Sequence, residues 1–248
     1  MITLTPNQPI NPANNQSISS YDWWASLNHG GLLIASAKLT EFFVAEDLSK
    51  CLTYGVVDRL RREIVRFGND SGQLSALLDV VLEELLELPA GQWLKGNALD
   101  SSWARQGIAG DRLKPQRVWQ EANGGILPVF VKSEVARLGI GRGKRAVSQT
   151  IEWLRKANQK VALLTNGQQW RLIHAGIDYD AWCEWDLSFW FEEGQLGLQA
   201  IALRALLNAR SLTYASLETG LWKKLKQKKD ERPIKRGVNI GHQKSKPS

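Results

Sequence analysis

Cysteine and histidine are scarce in this sequence of 248 residues, which holds two cysteines and three histidines. Cys51 and Cys183 lie far apart in the chain, with no CxxC spacing and no clustered histidine beside either one. Because protein zinc sites use several such ligands at short spacing, this pattern argues against a zinc site. It indicates reduced thiols in a cytoplasmic protein.

Long apolar runs are also missing. No segment reaches the roughly 18 consecutive apolar residues that a membrane-spanning helix needs. The first 20 residues are rich in Asn, Pro and Ser, and they lack the basic and then apolar layout of a signal peptide. We therefore predict no membrane partner, a cytoplasmic location and a disordered lead over residues 1–20.

The net charge of +7 is concentrated near the C-terminal end of the sequence. Residues 223–248 carry ten Lys and Arg against two Asp and Glu, a balance of +8, so residues 1–222 carry 22 against 23, a balance of −1. A disordered basic tail, taken as residues 211–248, predicts affinity for nucleic acid through counterion release. A solvated tail without a partner, or sequence that follows a truncation or frameshift, remains the alternative.

Hydrophobic periodicity predicts a helical N-terminal part over residues 21–115, followed by an α/β part over residues 116–210. In the first part, helices are predicted at 47–67 and 73–88, the second of them stopped by a proline. Residues 89–116 show little periodicity and are interpreted as a loop with short helical pieces. The chain is long enough for one large domain or two small ones.

The α/β part combines one predicted helix with several apolar strand patterns. The predicted elements are a buried strand at 126–131, a helix at 144–158, strands at 161–164 and 170–174, and a helix at 196–209. Thr165-Asn166-Gly167 has the chemistry of a tight turn between the last two strands. The acidic, tryptophan-rich residues 178–186 are interpreted as a loop packed as a lid over the sheet. This order predicts a mixed sheet flanked by helices.

A basic, glycine-rich loop precedes the helix predicted at 144–158. Gly139, Gly141 and Gly143 supply backbone freedom, and cations lie on both sides of the helix start. Amide groups at a helix start and nearby cations bind phosphate, which favours contact with the DNA backbone. The candidate DNA-binding residues are Arg137, Arg142, Lys144, Arg145 and Gln149. A solvated basic turn with a surface glutamine is the alternative interpretation.

The segment LTNGQQWRL at residues 164–172, preceded by Gln149, is the most specific motif in the sequence. Together with the GRGKR loop and the DYDAWCEWD run, it resembles the N-terminal nuclease-like region of large adenine-specific DNA methyltransferases. These enzymes are type IIG restriction–modification proteins and related phage-defence methylases. The resemblance covers roughly residues 20–210. It implies a restriction-endonuclease-like α/β fold and DNA as a partner.

Nucleases of this PD-(D/E)xK class use two acidic residues and a lysine to bind magnesium and activate water. The resemblance places the acid-x-lysine element on the strand before the glutamine helix, where this sequence has Phe130-Val-Lys132. The lysine matches, but a phenylalanine cannot ligate magnesium. We therefore expect no cleavage and no cofactor. Lys132 and Glu134 are catalytic candidates only if a migrated acid (Glu134, Asp111 or Glu84) restores a magnesium site.

The methyltransferase motifs of such enzymes are missing from the sequence. It has no Asn/Asp-Pro-Pro-aromatic tetrapeptide and no glycine-rich loop with a downstream acid for a methyl donor. We expect an N-terminal domain or fragment that contacts DNA or a separate methyltransferase subunit. A magnesium-dependent endonuclease and a non-functional truncated remnant are the two alternatives.

Overall fold

The computed structural model describes residues 20–31, 33, 52–121 and 125–208. Several predictions therefore fall outside the described residues. These are the lead up to residue 19, the helix start at residues 47–51 with Cys51, and the basic tail over residues 211–248.

The helices are α1 (Ser20–Ala25), α2 (Tyr54–Asn69), α3 (Leu74–Asp79), α4 (Arg142–Lys156) and α5 (Leu198–Leu207). The second predicted helix is confirmed as α3, which continues without a break into a π-helical segment, Val80–Leu85. The strands are β1 (Asn28–Gly30), β2 (Trp93–Lys95), β3 (Arg105–Gln106), β4 (Arg112–Leu113), β5 (Arg117–Gln120), β6 (Ile126–Val131), β7 (Val161–Thr165), β8 (Gln169–Ala175), β9 (Asp180–Asp186), β10 (Phe191–Glu192) and β11 (Gln195–Leu196).

Seven strands form one mostly antiparallel sheet in the order β1-β9-β8-β7-β6-β5-β2. Within this sheet β6 and β7 are parallel, and α4 forms the crossover between them. Antiparallel pairing then joins β7 to β8 through the tight turn at Asn166 and Gly167, with Thr165 opposite Trp170. The predicted order of strand, helix, strand and hairpin is confirmed, and the chain is a mixed α/β protein.

The two faces of the sheet carry different cores. Helices α1, α2, α3 and α5 cover one face, where Trp170 and Leu172 of β8 are fully buried. Helix α4 covers the other face and packs Trp153 and Leu154 against Leu164 and neighbouring strand residues. Because strand side chains alternate between faces, Arg171 lies on the α4 face, as its position between Trp170 and Leu172 predicts.

The prediction of a lid at residues 178–186 is wrong, because this segment forms strand β9 between β8 and β1. Ala181, Cys183 and Trp185 are buried on the face opposite α4. The intervening residues, Glu184 among them, face α4. The alternation of apolar and acidic residues is therefore the two-residue period of a strand.

Burial also raises the pKa of the Cys183 thiol well above its ordinary value.

The N-terminal part contributes to the same sheet and core as the α/β part. Its strands β1 and β2 form the two edges of the sheet. Leu77 and Leu82 of the helical region share one buried cluster with Leu163 and Trp170. Residues 89–116, interpreted from sequence as a loop, hold the short strands β2, β3 and β4 as well as helical turns. No separate core divides the described residues near position 115.

Candidate functional site

The link between β6 and α4 lies at the carboxyl ends of the parallel strands β6 and β7. We call residues 132–145 the basic loop; they include the first turn of α4. The Lys132 amide donates a hydrogen bond to the Thr165 carbonyl (2.8 Å), which extends strand pairing by one residue. The Asn166 side chain donates to the carbonyls of Val135 (2.9 Å) and Ala136 (3.3 Å). The Thr-Asn-Gly turn therefore holds the start of the basic loop.

A buried ion pair lies beneath the middle of the basic loop. Arg171 and Glu184 are directly opposite on β8 and β9. Arg171 Nε and Nη2 lie 2.7 and 2.6 Å from Glu184 Oε2, and Gln169 donates to Oε1 at 2.9 Å. The Leu138 amide donates to Gln169 Oε1 (2.8 Å), and the Leu138 carbonyl accepts from Arg171 Nη2 (3.3 Å). The network thus fixes both backbone groups of Leu138.

Burial raises the pKa of the Glu184 carboxyl above its ordinary value of 4.5, although Arg171 acts to lower it. Removing two charges from water is expensive, and their attraction compensates for this only when the geometry is good. The Arg171 guanidinium also stacks over the Trp182 ring, 3.9 Å from its centroid. We therefore expect this pair to position its neighbours more than it stabilises the fold.

Glycine 139 is required where the basic loop crosses the ion pair. Its φ is +77°, and a Cβ built on it would lie 2.8 Å from Arg171 Nη1. A larger residue would therefore meet both an unfavourable backbone conformation and a buried guanidinium. The glycine at position 139 is therefore explained by the close approach of the loop backbone to the buried ion pair.

The predicted DNA-binding cations lie on the exposed surface of this loop, namely Arg137, Arg142, Lys144 and Arg145. Arg145 Nη2 is 3.5 Å from Asp111 Oδ2. Among the described residues, no carboxylate lies within ion-pair distance of the other three. With Lys132, the loop has five basic residues against one acid, Glu134. Its surface is therefore strongly positive.

Gln149 is half-buried on α4 and shares a partner, Asp111, with the exposed Arg145. The Gln149 amide donates a hydrogen bond to Asp111 Oδ2, in the turn of the β3–β4 hairpin directly before β4. The Ile108 amide of the same hairpin donates to Glu152 Oε1 at 2.6 Å. This side of α4 therefore binds the β3–β4 hairpin, and one N–H of the Gln149 amide is used in that contact.

Among the described residues, none of the candidate acids forms an ion pair with Lys132. Phe130 is 4% exposed and packs edge-on against Trp153, with ring centroids 5.4 Å apart. Glu134 is exposed, and Asp111 is held by Gln149 and Arg145. Throughout the described ranges, no carboxylate oxygen lies within 4.0 Å of Lys132 Nζ.

The third proposed acid, Glu84, lies in the π-helical segment, which packs on the face of the sheet opposite α4. Its carboxylate accepts a hydrogen bond from Arg59 at 2.7 Å. No group of three or more potential metal ligands occurs in the part of the chain that the structure describes.

Two members of the buried network were missed by sequence reasoning. Gln169 carried no prediction, and Glu184 was assigned to a lid. The available signal was Arg171, since an arginine facing away from one core on a central strand requires a buried acceptor. The two-residue alternation through Glu184 would have placed that acceptor on the neighbouring strand.

The fold and the site together define a mixed α/β protein that presents a positively charged, internally braced loop. Comparison of the chain with protein-family models, with curated proteins and with solved structures found no match. In the described ranges, no helix has the length and apolar character needed to cross a membrane.

Proposed function

We propose that this chain is an N-terminal domain or fragment of a restriction–modification or phage-defence DNA methyltransferase. In this proposal the basic loop contacts DNA, and the chain has no methyltransferase site of its own. The observation that carries the proposal is the exposed cluster of Arg137, Arg142 and Lys144, held in place by a buried network. A cytoplasmic location and a separate methyltransferase subunit as partner belong to the same proposal.

Phosphate contacts position a protein on DNA and supply most of its sequence-independent affinity. The basic loop is suited to this role because its cations are on the surface while its backbone is held by hydrogen bonds to buried side chains. Arg171 and Gln169 bind Leu138, and Asn166 binds Val135. Asn166, Gln169 and Arg171 belong to the LTNGQQWRL motif, so the motif has a physical role in supporting the loop.

The proposed fold is restriction-endonuclease-like, and the proposed activity is binding without cleavage. The support for the fold is the order β6, α4, β7 and β8, with the basic loop at the carboxyl ends of the parallel strands. The support for lost cleavage is Phe130, which occupies the acid position and is buried against Trp153. No metal cofactor is proposed for the binding role.

We expect duplex DNA to bind the full chain with a strong dependence on salt. If Arg142 and Arg145 each contact one phosphate, Arg142→Ala/Arg145→Ala reduces the slope of log K against log salt by roughly 2. The affinity at low salt falls roughly tenfold or more. Fluorescence anisotropy with a labelled duplex across a salt series measures both quantities.

The matched control is Arg59→Ala/Arg62→Ala, which removes two exposed arginines from α2 on the other side of the sheet. This control keeps the basic tail, as does the loop variant, so the difference between them isolates the loop. Equal salt slopes for the wild type and both variants would contradict the proposed interface.

We expect no cleavage when supercoiled plasmid is incubated with the protein and Mg²⁺ or Mn²⁺. Phe130 offers no oxygen ligand, and among the described residues no acid forms an ion pair with Lys132. Agarose gel separation of nicked and linear plasmid is the measurement. Cleavage that disappears in both Lys132→Ala and Asp111→Asn would replace the binding proposal with the endonuclease alternative.

A further inference from the structure

We propose that Ile140 is an apolar wedge that contacts a base step, and that the basic loop favours DNA containing an unstacked step. The inference rests on the proposed DNA-binding role of the loop. Ile140 is 58% exposed and lies in sequence between Arg137 and Arg142. Exposed cations precede and follow this apolar side chain in the sequence, at Arg137, Arg142, Lys144 and Arg145.

The turn that presents Ile140 is fixed on both sides. Gly139 and Gly141 have φ of +77° and +53°, conformations that residues with a Cβ rarely adopt. Before the turn, Leu138 is 2% exposed and both of its backbone groups are bonded to the buried network. After it, the Gly143 amide donates to the Ile140 carbonyl at 2.8 Å. The side chain is therefore presented to solvent from an anchored backbone.

An exposed isoleucine alone indicates nothing, since single apolar residues are common on protein surfaces. Ile177 is a useful comparison because it is 71% exposed in the turn between β8 and β9, at the opposite end of β8. Its sequence neighbours include Asp178 and Asp180, whereas Ile140 has Arg137 and Arg142. DNA offers the environment that suits Ile140, with phosphates for the cations and apolar base faces for the side chain.

Apolar residues inserted between bases kink DNA and partly unstack the step, at a cost of roughly a few kcal/mol for each step. A step that is already weakened by a mismatch lowers this cost, so a wedge gives preference for mismatched over matched duplex. Arginine contacts to phosphate give no such preference, because both duplexes carry the same charge. The ratio of the two affinities therefore reports Ile140 separately from the cations.

The experiment compares matched and mismatched duplexes of equal length by anisotropy, with 2-aminopurine beside the mismatch as a stacking probe. We expect the wild type to bind the mismatched duplex roughly fivefold more tightly and to increase the 2-aminopurine fluorescence. Ile140→Ala is expected to bind both duplexes within about twofold of each other and to leave the fluorescence unchanged. Ile140→Phe, which restores an apolar wedge, is expected to regain the preference.

Ile177→Ala is the matched control and should behave as the wild type does. If DNA binds and depends on Arg142 and Arg145, but Ile140→Ala keeps the mismatch preference, the wedge is wrong and the DNA-binding role stands. The wedge is equally wrong if Ile140→Ala weakens both duplexes by the same factor. If no duplex binds at all, the proposed function fails and the wedge fails with it. Thermal unfolding of each variant verifies that the protein is folded.

Discussion

Glu184→Gln is expected to destabilise the protein by about 3 kcal/mol or more. The substitution keeps the size of the side chain but leaves the Arg171 guanidinium buried without its anion. The Arg171 and Glu184 side chains are only 7% and 6% exposed, so water cannot solvate the guanidinium that is left unpaired. Removing one partner of a buried ion pair is among the most costly single changes in a protein. Urea unfolding at neutral pH, with an unchanged m value, measures the effect.

The matched control is Glu84→Gln, the same substitution in the ion pair with Arg59. That pair is much more exposed, with 52% of the arginine and 26% of the glutamate side chain accessible. Surface ion pairs contribute roughly 0 to 1 kcal/mol, so this control should change stability little. Similar losses for Glu184→Gln and Glu84→Gln would show that the buried pair has no special role.

A double variant separates stability from the positioning of the loop. Arg171→Met/Glu184→Leu removes both buried charges, and we expect it to recover roughly half or more of the stability that Glu184→Gln loses. The Leu138 carbonyl nevertheless lacks its donor in the double variant, so the basic loop remains poorly held. Its affinity for duplex DNA is therefore expected to stay below that of the wild type. If the double variant recovers both the stability and the DNA affinity of the wild type, the ion pair contributes to stability alone and does not position the loop.

The central elements of the sheet were predictable because their signals are local. The apolar run of β6, the helical spacing of α4 and the Asn-Gly turn before β8 each depend on a few neighbouring residues. These elements follow one another in sequence, so the hairpin and the parallel crossover could be inferred together. The position of Arg171 on the α4 face followed from alternation with Trp170 and Leu172.

The remaining features of the fold and site depend on contacts between residues that are distant in the sequence, and no local pattern predicts such contacts. Strands β1 and β2 have three residues each, too few for a periodic signal, and they pair with β9 and β5 far along the chain. The tryptophans of β9 suggested a lid because Trp182 interrupts the alternation of apolar residues (Ala181, Cys183, Trp185) with acidic ones and so weakens the strand pattern. In the candidate site, the exposed cations were predictable from composition, but the pairing of Gln149 with Asp111 joins residues 38 apart.

Gly143→Ala is expected to destabilise the protein by at least about 2 kcal/mol, although alanine normally favours a helix. Gly143 is the second residue of α4, where the chain passes close to the earlier part of the basic loop. A Cβ at this position would lie 1.9 Å from the Arg137 carbonyl oxygen and 3.0 Å from Leu138 Cα. Both neighbours are backbone atoms, so the clash is relieved only if the loop or the helix start moves. Urea unfolding beside the wild type measures the loss.

The matched control is Gly68→Ala near the end of α2, where a Cβ would meet nothing within 4 Å. There the same substitution should stabilise the protein by up to about 1 kcal/mol, so the two variants differ in sign. Because the forced shift in Gly143→Ala moves Ile140 and Arg142 together, we also expect duplex affinity to fall roughly tenfold. A stable Gly143→Ala protein that binds as the wild type does would show that the close contact between the loop and α4 does not determine the interface.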